Sequence, residues 1–183
     1  MIKTLPVLAV FFVIFSLVSS SIFAETLLRD PGDHFFDQSL GDLQEELTIA
    51  REDGKKAVML FFEQEECPFC RRMKADVLNR PDVQEYYKKN FRIIPIDIEG
   101  DLSIKDFQGV DIREKDFAFH VHRVRATPVF LFVDLYGNPL ARYTGATADI
   151  DEFKWLADYV LASEYKNLPF TKYKRQRRQQ SRQ

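Results

Sequence analysis

Apolar positions along the chain alternate between patterns typical of strands and patterns typical of helices. Ala57 to Phe62 and Val129 to Val133 are continuous apolar runs, which are typical of strands covered on both faces. Phe91 to Ile98 indicates a further strand. Leu140 to Thr144 follows a turn at residues 134–138, so it is predicted to pair with the 129–133 strand as a hairpin. The pattern therefore predicts four strands.

Helical spacing appears between these strands and on both sides of them. The predicted helices are a first one with Leu40, Leu43, Leu47 and Ala50, a second from Pro68 to about Leu78 with a further segment from Pro81, a short one at residues 114–123, and a last one after Asp149 or Asp151. Residues 100–111 are expected to form a polar, partly irregular connection. A helix between the first two strands makes them parallel. We expect an α/β fold, with a mixed four-stranded sheet, helices on both faces and an extra N-terminal helix.

The N-terminus has the pattern of a targeting segment. Lys3 precedes an almost wholly apolar stretch from Leu5 to Val18, and small residues lead to Ala24. This pattern predicts a signal peptide over residues 1–24, and therefore export to the periplasm, where disulfides persist. The alternative is an uncleaved helix that anchors the protein to the inner membrane. Residues 25–36 are predicted to form an extended lead-in, followed by one domain at residues 37–165.

Charge is distributed unevenly, although the formal net charge is only -2. The segment 166–183 contains no acidic residue and carries Lys166, Lys172, Lys174, Arg175, Arg177, Arg178 and Arg182. Its composition predicts a disordered, solvated basic tail. Such a tail suits weak contact with an anionic membrane surface. Export argues against nucleic acid as a partner.

The two cysteines of the chain carry its candidate chemistry. Cys67 and Cys70 are separated by Pro68-Phe69 and lie between the first strand and the following helix. A thiol pair with this spacing is suited to reversible disulfide formation. Backbone N–H groups and the dipole at the helix start favour a thiolate on Cys67. Nearby arginines act in the same direction, whereas the acidic side chains before Cys67 oppose it.

Two other interpretations of the pair remain open from the residues alone. One is a structural disulfide. The other is a zinc site completed by His120 and His122. Residues two apart on a helix point in different directions, so these histidines are poorly placed to bind one ion. We therefore expect no metal.

Three groups of residues resemble a known superfamily. They are Cys67-Pro68-Phe69-Cys70 after an apolar strand, Thr127-Pro128 before a buried strand, and residues 134–138 followed by 142–145. Together they resemble thioredoxin-fold proteins from Ala57 to about Leu161. Within that superfamily the chain is similar to periplasmic SoxW-like thioredoxins, through residues 61–70 and 124–128.

The resemblance implies thiol–disulfide exchange with protein substrates. Cys67 would be the exposed nucleophile and Cys70 the resolving thiol. Pro128 would be a cis proline, and the backbone of Thr127 would receive an incoming peptide as an added strand. Phe69 would shape the rim of the site. No cofactor is expected, because the two sulfurs hold the electrons.

The chain also departs from ordinary thioredoxins. Glu66 stands where they have a tryptophan, and Phe61 stands where they have a buried aspartate. Proton transfer to and from Cys70 therefore needs another route, and Glu63 or water are the candidates. The glycines of a glutaredoxin glutathione site are not seen after Pro128.

The predicted function is that of a periplasmic thiol–disulfide oxidoreductase that reduces exported protein partners. A membrane thiol electron carrier would re-reduce it, and its partners would belong to sulfur oxidation, as the SoxW resemblance implies. One alternative is a disulfide-forming oxidase or isomerase. Another is a non-catalytic protein whose thioredoxin fold binds peptides.

Overall fold

The computed structural model describes residues 27–182, so the predicted signal segment 1–24 lies outside the described residues. The strands are β1 Ala57–Glu63, β2 Phe91–Asp97, β3 Ser103–Lys105, β4 Asp111–Arg113, β5 Val129–Val133 and β6 Pro139–Thr144. The helices are α1 Pro31–His34, α2 Leu43–Glu52, α3 Pro68–Met73, α4 Pro81–Asn90, α5 Glu114–Asp116, α6 Ile150–Leu161 and α7 Phe170–Gln180. Single π-helical stretches continue α3 over Lys74–Leu78 and α5 over Phe117–Val121. Within residues 27–182, no helix is both long enough and apolar enough to span a bilayer.

The main sheet has the strand order β2-β1-β5-β6. β1 runs parallel to β2 and antiparallel to β5, and β5 pairs with β6 as an antiparallel hairpin. The predicted mixed four-stranded α/β fold is therefore confirmed. β3 and β4 form a separate two-stranded sheet within the connection that was expected to be irregular. Each of these strands has only three residues and at most one buried position. Neither is long enough to show the alternation of apolar and polar residues by which a strand is recognised in a sequence.

Side-chain alternation along β1 divides the interior into two cores, one on each face of the sheet. Met59 and Phe61 pack in a cluster with α3, α4 and α6. Leu60 and Phe62 pack in the second cluster, with α2 and the segment after α5. Successive strand residues point to opposite faces, so both sets must be apolar when both faces are covered. This explains the continuous apolar run of β1.

The outer edge of β2 offers few free donors to another strand. Asp37 occupies the backbone groups of Ile93 at this edge. Its carboxylate accepts the Ile93 N–H at 2.8 Å, and its own N–H donates to the Ile93 carbonyl at 2.8 Å. Pro95 has no N–H to donate, and the Asp97 N–H donates to Glu114 at 3.4 Å. Blocked edges protect a sheet from unwanted pairing. A peptide partner is therefore not expected to add to this edge.

The prediction of an extended lead-in at residues 25–36 is wrong for residues 27–36, which the structure describes. They include the short helix α1, and Phe35 is fully buried. The Phe35 ring lies 5.7 Å from that of Tyr87 and 6.2 Å from that of Phe153, between centroids. Burying an aromatic side chain of this size contributes about 2–3 kcal/mol, so the segment belongs to the domain.

The predicted disordered tail at residues 166–183 is also wrong over its described residues. Its residues form α7, whose Phe170 and Tyr173 are buried against Tyr159 of α6. The basic charge of the helix is partly neutralised by the domain, because Lys174 and Arg178 both bind the carboxylate of Glu152. Tertiary packing of an amphipathic face is what stabilises most protein helices.

Candidate active site

The cysteine pair lies where β1 gives way to α3. Pro68 occupies the first turn of α3, a position where its missing N–H costs nothing. Cys67 is the N-cap residue, and its sulfur accepts the backbone N–H of Cys70 at 3.0 Å. Cys67 and Cys70 form a disulfide, with their Cα atoms 5.2 Å apart. The sequence therefore places both sulfurs at the start of one helix, as expected.

Cys67 is less accessible than the sequence led us to expect. It is 4% exposed and Cys70 is 2% exposed, so the prediction of an exposed Cys67 is wrong for this disulfide form. Both cysteines belong to the apolar cluster that contains Met73. Only a small part of the disulfide is therefore open to an attacking partner thiolate.

A cavity of about 340 Å³ opens beside the pair. It is lined by Glu63, Gln64, Glu65, Cys70, Arg71, Lys74 and Asp97. The charges here are largely paired. Glu63 binds Lys74 at 2.6 Å, and Arg71 lies 4.0 Å from Glu66. Glu63 and Arg71 therefore each have a partner of opposite charge, which weakens their effect on the sulfurs, whereas Glu65 and Arg72 have no ion pair within residues 27–182.

The loop before β5 completes the site. The peptide bond between Thr127 and Pro128 is cis, and Pro128 is buried. The Thr127 hydroxyl donates to Oε1 of Gln64 at 3.2 Å, and Gln64 lies three residues before Cys67. The structure thus brings the two segments named by the sequence together. Gln64 was not singled out from the sequence, because nothing in a single sequence marks which residue bridges two distant loops.

Phe69 projects at the site, with 56% of its surface exposed. It lies between the two cysteines, and the Arg72 guanidinium is 5.7 Å from its ring centroid. An exposed aromatic side chain at this position suits the predicted rim of a binding surface, since apolar surface left in water is often an interaction site.

Phe61 occupies the interior beneath the site. It is fully buried, with ring centroids 5.2 Å from Phe130 and 5.4 Å from Phe36. This environment has no place for the buried carboxylate of ordinary thioredoxins, because a charged group would lose its hydration without gaining a partner. Three acids, Glu63, Glu65 and Asp97, line the cavity that Cys70 also lines.

His120 and His122 do not join the cysteines. His122 packs its ring against Phe117, 4.5 Å between centroids, and His120 lies near Asp116 on the exposed side. Within residues 27–182, no three Cys, His, Asp or Glu side chains are grouped as a metal site requires. Burial and the nearby charge of Arg142 lower the pKa of His122 to about 4.

We expect His122 to make the protein less stable in mild acid. Between pH 6.5 and pH 4 the unfolded chain binds a proton at this residue and the folded chain does not, so stability falls as the pH falls. Because His122 is partly exposed, the expected loss between pH 7 and pH 5 is about 1–2 kcal/mol. Urea unfolding at both pH values measures it. His122→Gln should remove this part of the pH dependence, and an unchanged dependence in the variant would contradict the assignment.

Comparisons with known proteins agree with this architecture. A family model described as a thioredoxin-like domain matches residues 43–161. No sequence among the curated proteins matches the chain. Two solved structures are similar at a TM-score of 0.52. A thioredoxin-fold protein from Helicobacter pylori is 19% identical over 65% of this chain and 80% of its own. A thioredoxin from Thermus thermophilus is 24% identical over 68% of this chain and 88% of its own.

A third solved structure, a putative disulphide-isomerase from Bacteroides thetaiotaomicron, has a TM-score of 0.50 at 21% identity. It covers 67% of this chain and 88% of its own. At these identities the structures show a common fold, and the family model extends over more than half of the chain. The chain therefore belongs to the thioredoxin-like domain family, and its vicinal cysteine pair at disulfide distance makes it a thioredoxin-like oxidoreductase.

Proposed function

We propose that the protein is a periplasmic reductase of disulfides in exported protein partners. The observation that carries this proposal is the closed Cys67–Cys70 pair at the start of α3, next to the loop of Thr127 and Pro128. Two neighbouring thiols can pass two electrons without a cofactor. The backbone of Thr127 is a suitable docking place for an extended peptide, as the family resemblance implies.

Each step of the proposed reaction is an exchange between sulfurs. In the reduced protein, the Cys67 thiolate attacks one sulfur of the substrate disulfide and the other substrate sulfur leaves as a thiolate. The Cys70 thiolate then attacks the Cys67 sulfur and releases the first substrate sulfur. The substrate gains two electrons, and Cys67 and Cys70 are left as the observed disulfide. A membrane thiol carrier returns the two electrons by the same exchange in reverse.

Glu63 is the proposed proton acceptor for Cys70. Both residues line the 340 Å³ cavity, and Glu63 is partly exposed, so water in the cavity connects it to solvent. The ion pair with Lys74 keeps the carboxylate in place. A carboxylate can take up a proton from a thiol directly or through a water molecule, and a water in the shared cavity is the proposed route. Phe61, at the usual aspartate position, has no such capacity.

The proposed setting follows from the sequence. The segment 1–24 supports export or anchoring at the inner membrane, and the SoxW-like motifs support partners in sulfur oxidation. The basic C-terminal segment supports a weak contact with an anionic membrane surface through Lys172 and Arg175 of α7 and through Arg182, which follows it. Among the described residues, these three have no carboxylate within 4 Å. Such a contact is worth about 1 kcal/mol per basic residue.

Reduction of insulin disulfides tests the proposed chemistry. We expect the full chain to precipitate insulin in the presence of dithiothreitol, and the matched Cys67→Ser/Cys70→Ser double variant to leave insulin at the uncatalysed rate. Equilibration with glutathione gives the direction. A potential of about -270 mV supports a reductase, whereas one of about -120 mV would make the protein an oxidase or isomerase. If neither protein accelerates the reaction, the peptide-binding alternative replaces the proposal.

A further inference from the structure

Two arginine–aromatic pairs lie on the two segments that form the cysteine site. On α3, Arg72 lies over Phe69 at 5.7 Å from its ring centroid. In the segment that leads to Thr127, Arg125 lies over Phe119 at 3.3 Å from the ring centroid. The hydrogen bond from Thr127 to Gln64 holds the second segment beside the start of the cysteine loop. One pair therefore lies on the helix of the cysteines, and the other lies on the segment that reaches the cysteine loop through Thr127.

Neither arginine is neutralised by a carboxylate. Arg72 donates to the Thr147 carbonyl at 3.4 Å, and Arg125 donates to the carbonyls of Phe119 at 3.0 Å and Val124 at 3.2 Å. In the described part of the chain, no carboxylate oxygen lies within 4 Å of either guanidinium, whereas neighbouring bases such as Lys74 are paired. A carbonyl fixes the direction of an arginine and leaves its charge available.

The aromatic members of the pairs are unusually open to solvent. Phe69 is 56% exposed and Phe119 is 47% exposed, so each offers apolar surface to a partner. Acidic side chains also border the site, since Glu65 and Asp97 line the cavity beside Cys70, and Asp76 lines a pocket with Arg72. Each arginine–aromatic pair nevertheless combines exposed apolar surface with a guanidinium that no carboxylate of the described residues binds.

We infer that these two pairs select partner segments that carry acidic and apolar side chains within a few residues of their disulfide. A carboxylate of the partner binds the fixed guanidinium of Arg72 or Arg125 through charge-assisted hydrogen bonds. Apolar side chains beside it pack on Phe69 and Phe119. This inference rests on the proposed function, because it concerns which disulfides reach Cys67.

Two synthetic peptides of equal length test the inference. Each contains one intramolecular disulfide and the same apolar residues, and the cysteines are flanked by Asp in one peptide and by Lys in the other. We expect the full chain to reduce the Asp peptide with a kcat/KM at least about 10-fold higher at low salt. The difference should shrink in 0.5 M salt, since partly exposed charges are screened.

Charge reversal identifies the residues responsible. Arg72→Glu and Arg125→Glu should each lower the Asp-to-Lys ratio of kcat/KM, mainly through KM, and together they should invert it. The matched control is Arg51→Glu, at an exposed arginine of α2 that also donates to a backbone carbonyl, that of Leu135. This control should keep the wild-type ratio.

The outcomes separate this inference from the proposed function. Reduction of the uncharged 2-hydroxyethyl disulfide by the wild-type protein reports the sulfur chemistry alone. If that reaction proceeds but both peptides react equally, the selection of acidic segments is overturned and the reductase stands. The same holds if the charge reversals leave the ratio unchanged. If the uncharged disulfide is not reduced, the proposed function fails.

Discussion

Cys67→Ser is expected to lower the turnover of protein disulfides by roughly 10³-fold or more, because it removes the attacking sulfur. Cys70→Ser should instead make one attack and stop, since the mixed disulfide on Cys67 then has no neighbouring thiol to resolve it. The geometry supports this assignment. The Cys67 sulfur accepts the Cys70 N–H at 3.0 Å at the start of α3, where a thiolate is stabilised.

Mass spectrometry after incubation with a disulfide peptide checks both variants. Cys70→Ser should carry one peptide adduct per protein, removable by dithiothreitol, and Cys67→Ser should carry none. Circular dichroism and urea unfolding of each variant show whether the fold is retained. The reverse pattern, with an adduct only in Cys67→Ser, would assign the attack to Cys70. That residue lines the cavity beside the pair, so the experiment distinguishes two real possibilities.

The same Cys70→Ser variant, expressed with residues 1–24, is expected to capture physiological partners as mixed disulfides. The sequences of the captured segments around their cysteines then bear directly on the charge preference inferred for Arg72 and Arg125. Captured partners also indicate whether the protein meets substrates in the periplasm, as residues 1–24 lead us to propose.

Much of the fold follows from local patterns in the sequence. The apolar runs of β1 and β5 predict buried strands because both faces of the sheet are covered. The cysteine pair at the end of β1 predicts the helix start, since Pro68 suits a first turn and Cys67 serves as the N-cap. These features depend on residues close together in the chain, where propensity and spacing are informative.

Features that depend on distant partners were not predicted. α7 looks like a disordered tail in isolation, but its contacts are with earlier residues: Phe170 and Tyr173 pack on Tyr159, and two of its basic residues bind Glu152, more than 20 residues before them. The low exposure of Cys67 depends on packing around the closed disulfide. The Arg72–Phe69 pair has ordinary helical spacing, but the proximity of Gln64 to Thr127 depends on the fold as a whole.

Glu152 is the residue through which the domain holds α7. It is 1% exposed, and its Oε1 accepts from Lys174 Nζ at 2.7 Å and from the Tyr143 hydroxyl at 3.1 Å. Its Oε2 accepts from Arg178. One buried carboxylate thus joins α6 to β6 and to two positions of α7. Three hydrogen-bond donors compensate the buried carboxylate for its lost hydration, and each of these donors would lose its acceptor if the carboxylate were removed.

We expect Glu152→Ala to lower the free energy of unfolding by about 2–4 kcal/mol, because it removes the carboxylate and leaves its donors without their acceptor. This loss of stability is smaller than the largest losses seen when a buried ion pair is broken, because Lys174 and Arg178 are partly exposed and can be hydrated by solvent instead. Urea denaturation measures the change. The matched control is Asp151→Asn, an exposed acid of the same helix, which should change stability by less than about 0.5 kcal/mol.

A double-mutant cycle with Arg178→Ala assigns the loss to the α7 contact. If Glu152 acts through α7, the two substitutions should be non-additive by about 1 kcal/mol or more. Hydrogen exchange of α7 amides should rise in Glu152→Ala well before that of β1, because α7 then opens without global unfolding. Additive effects with unchanged exchange of α7 would show that Phe170 and Tyr173 hold the helix by apolar packing alone.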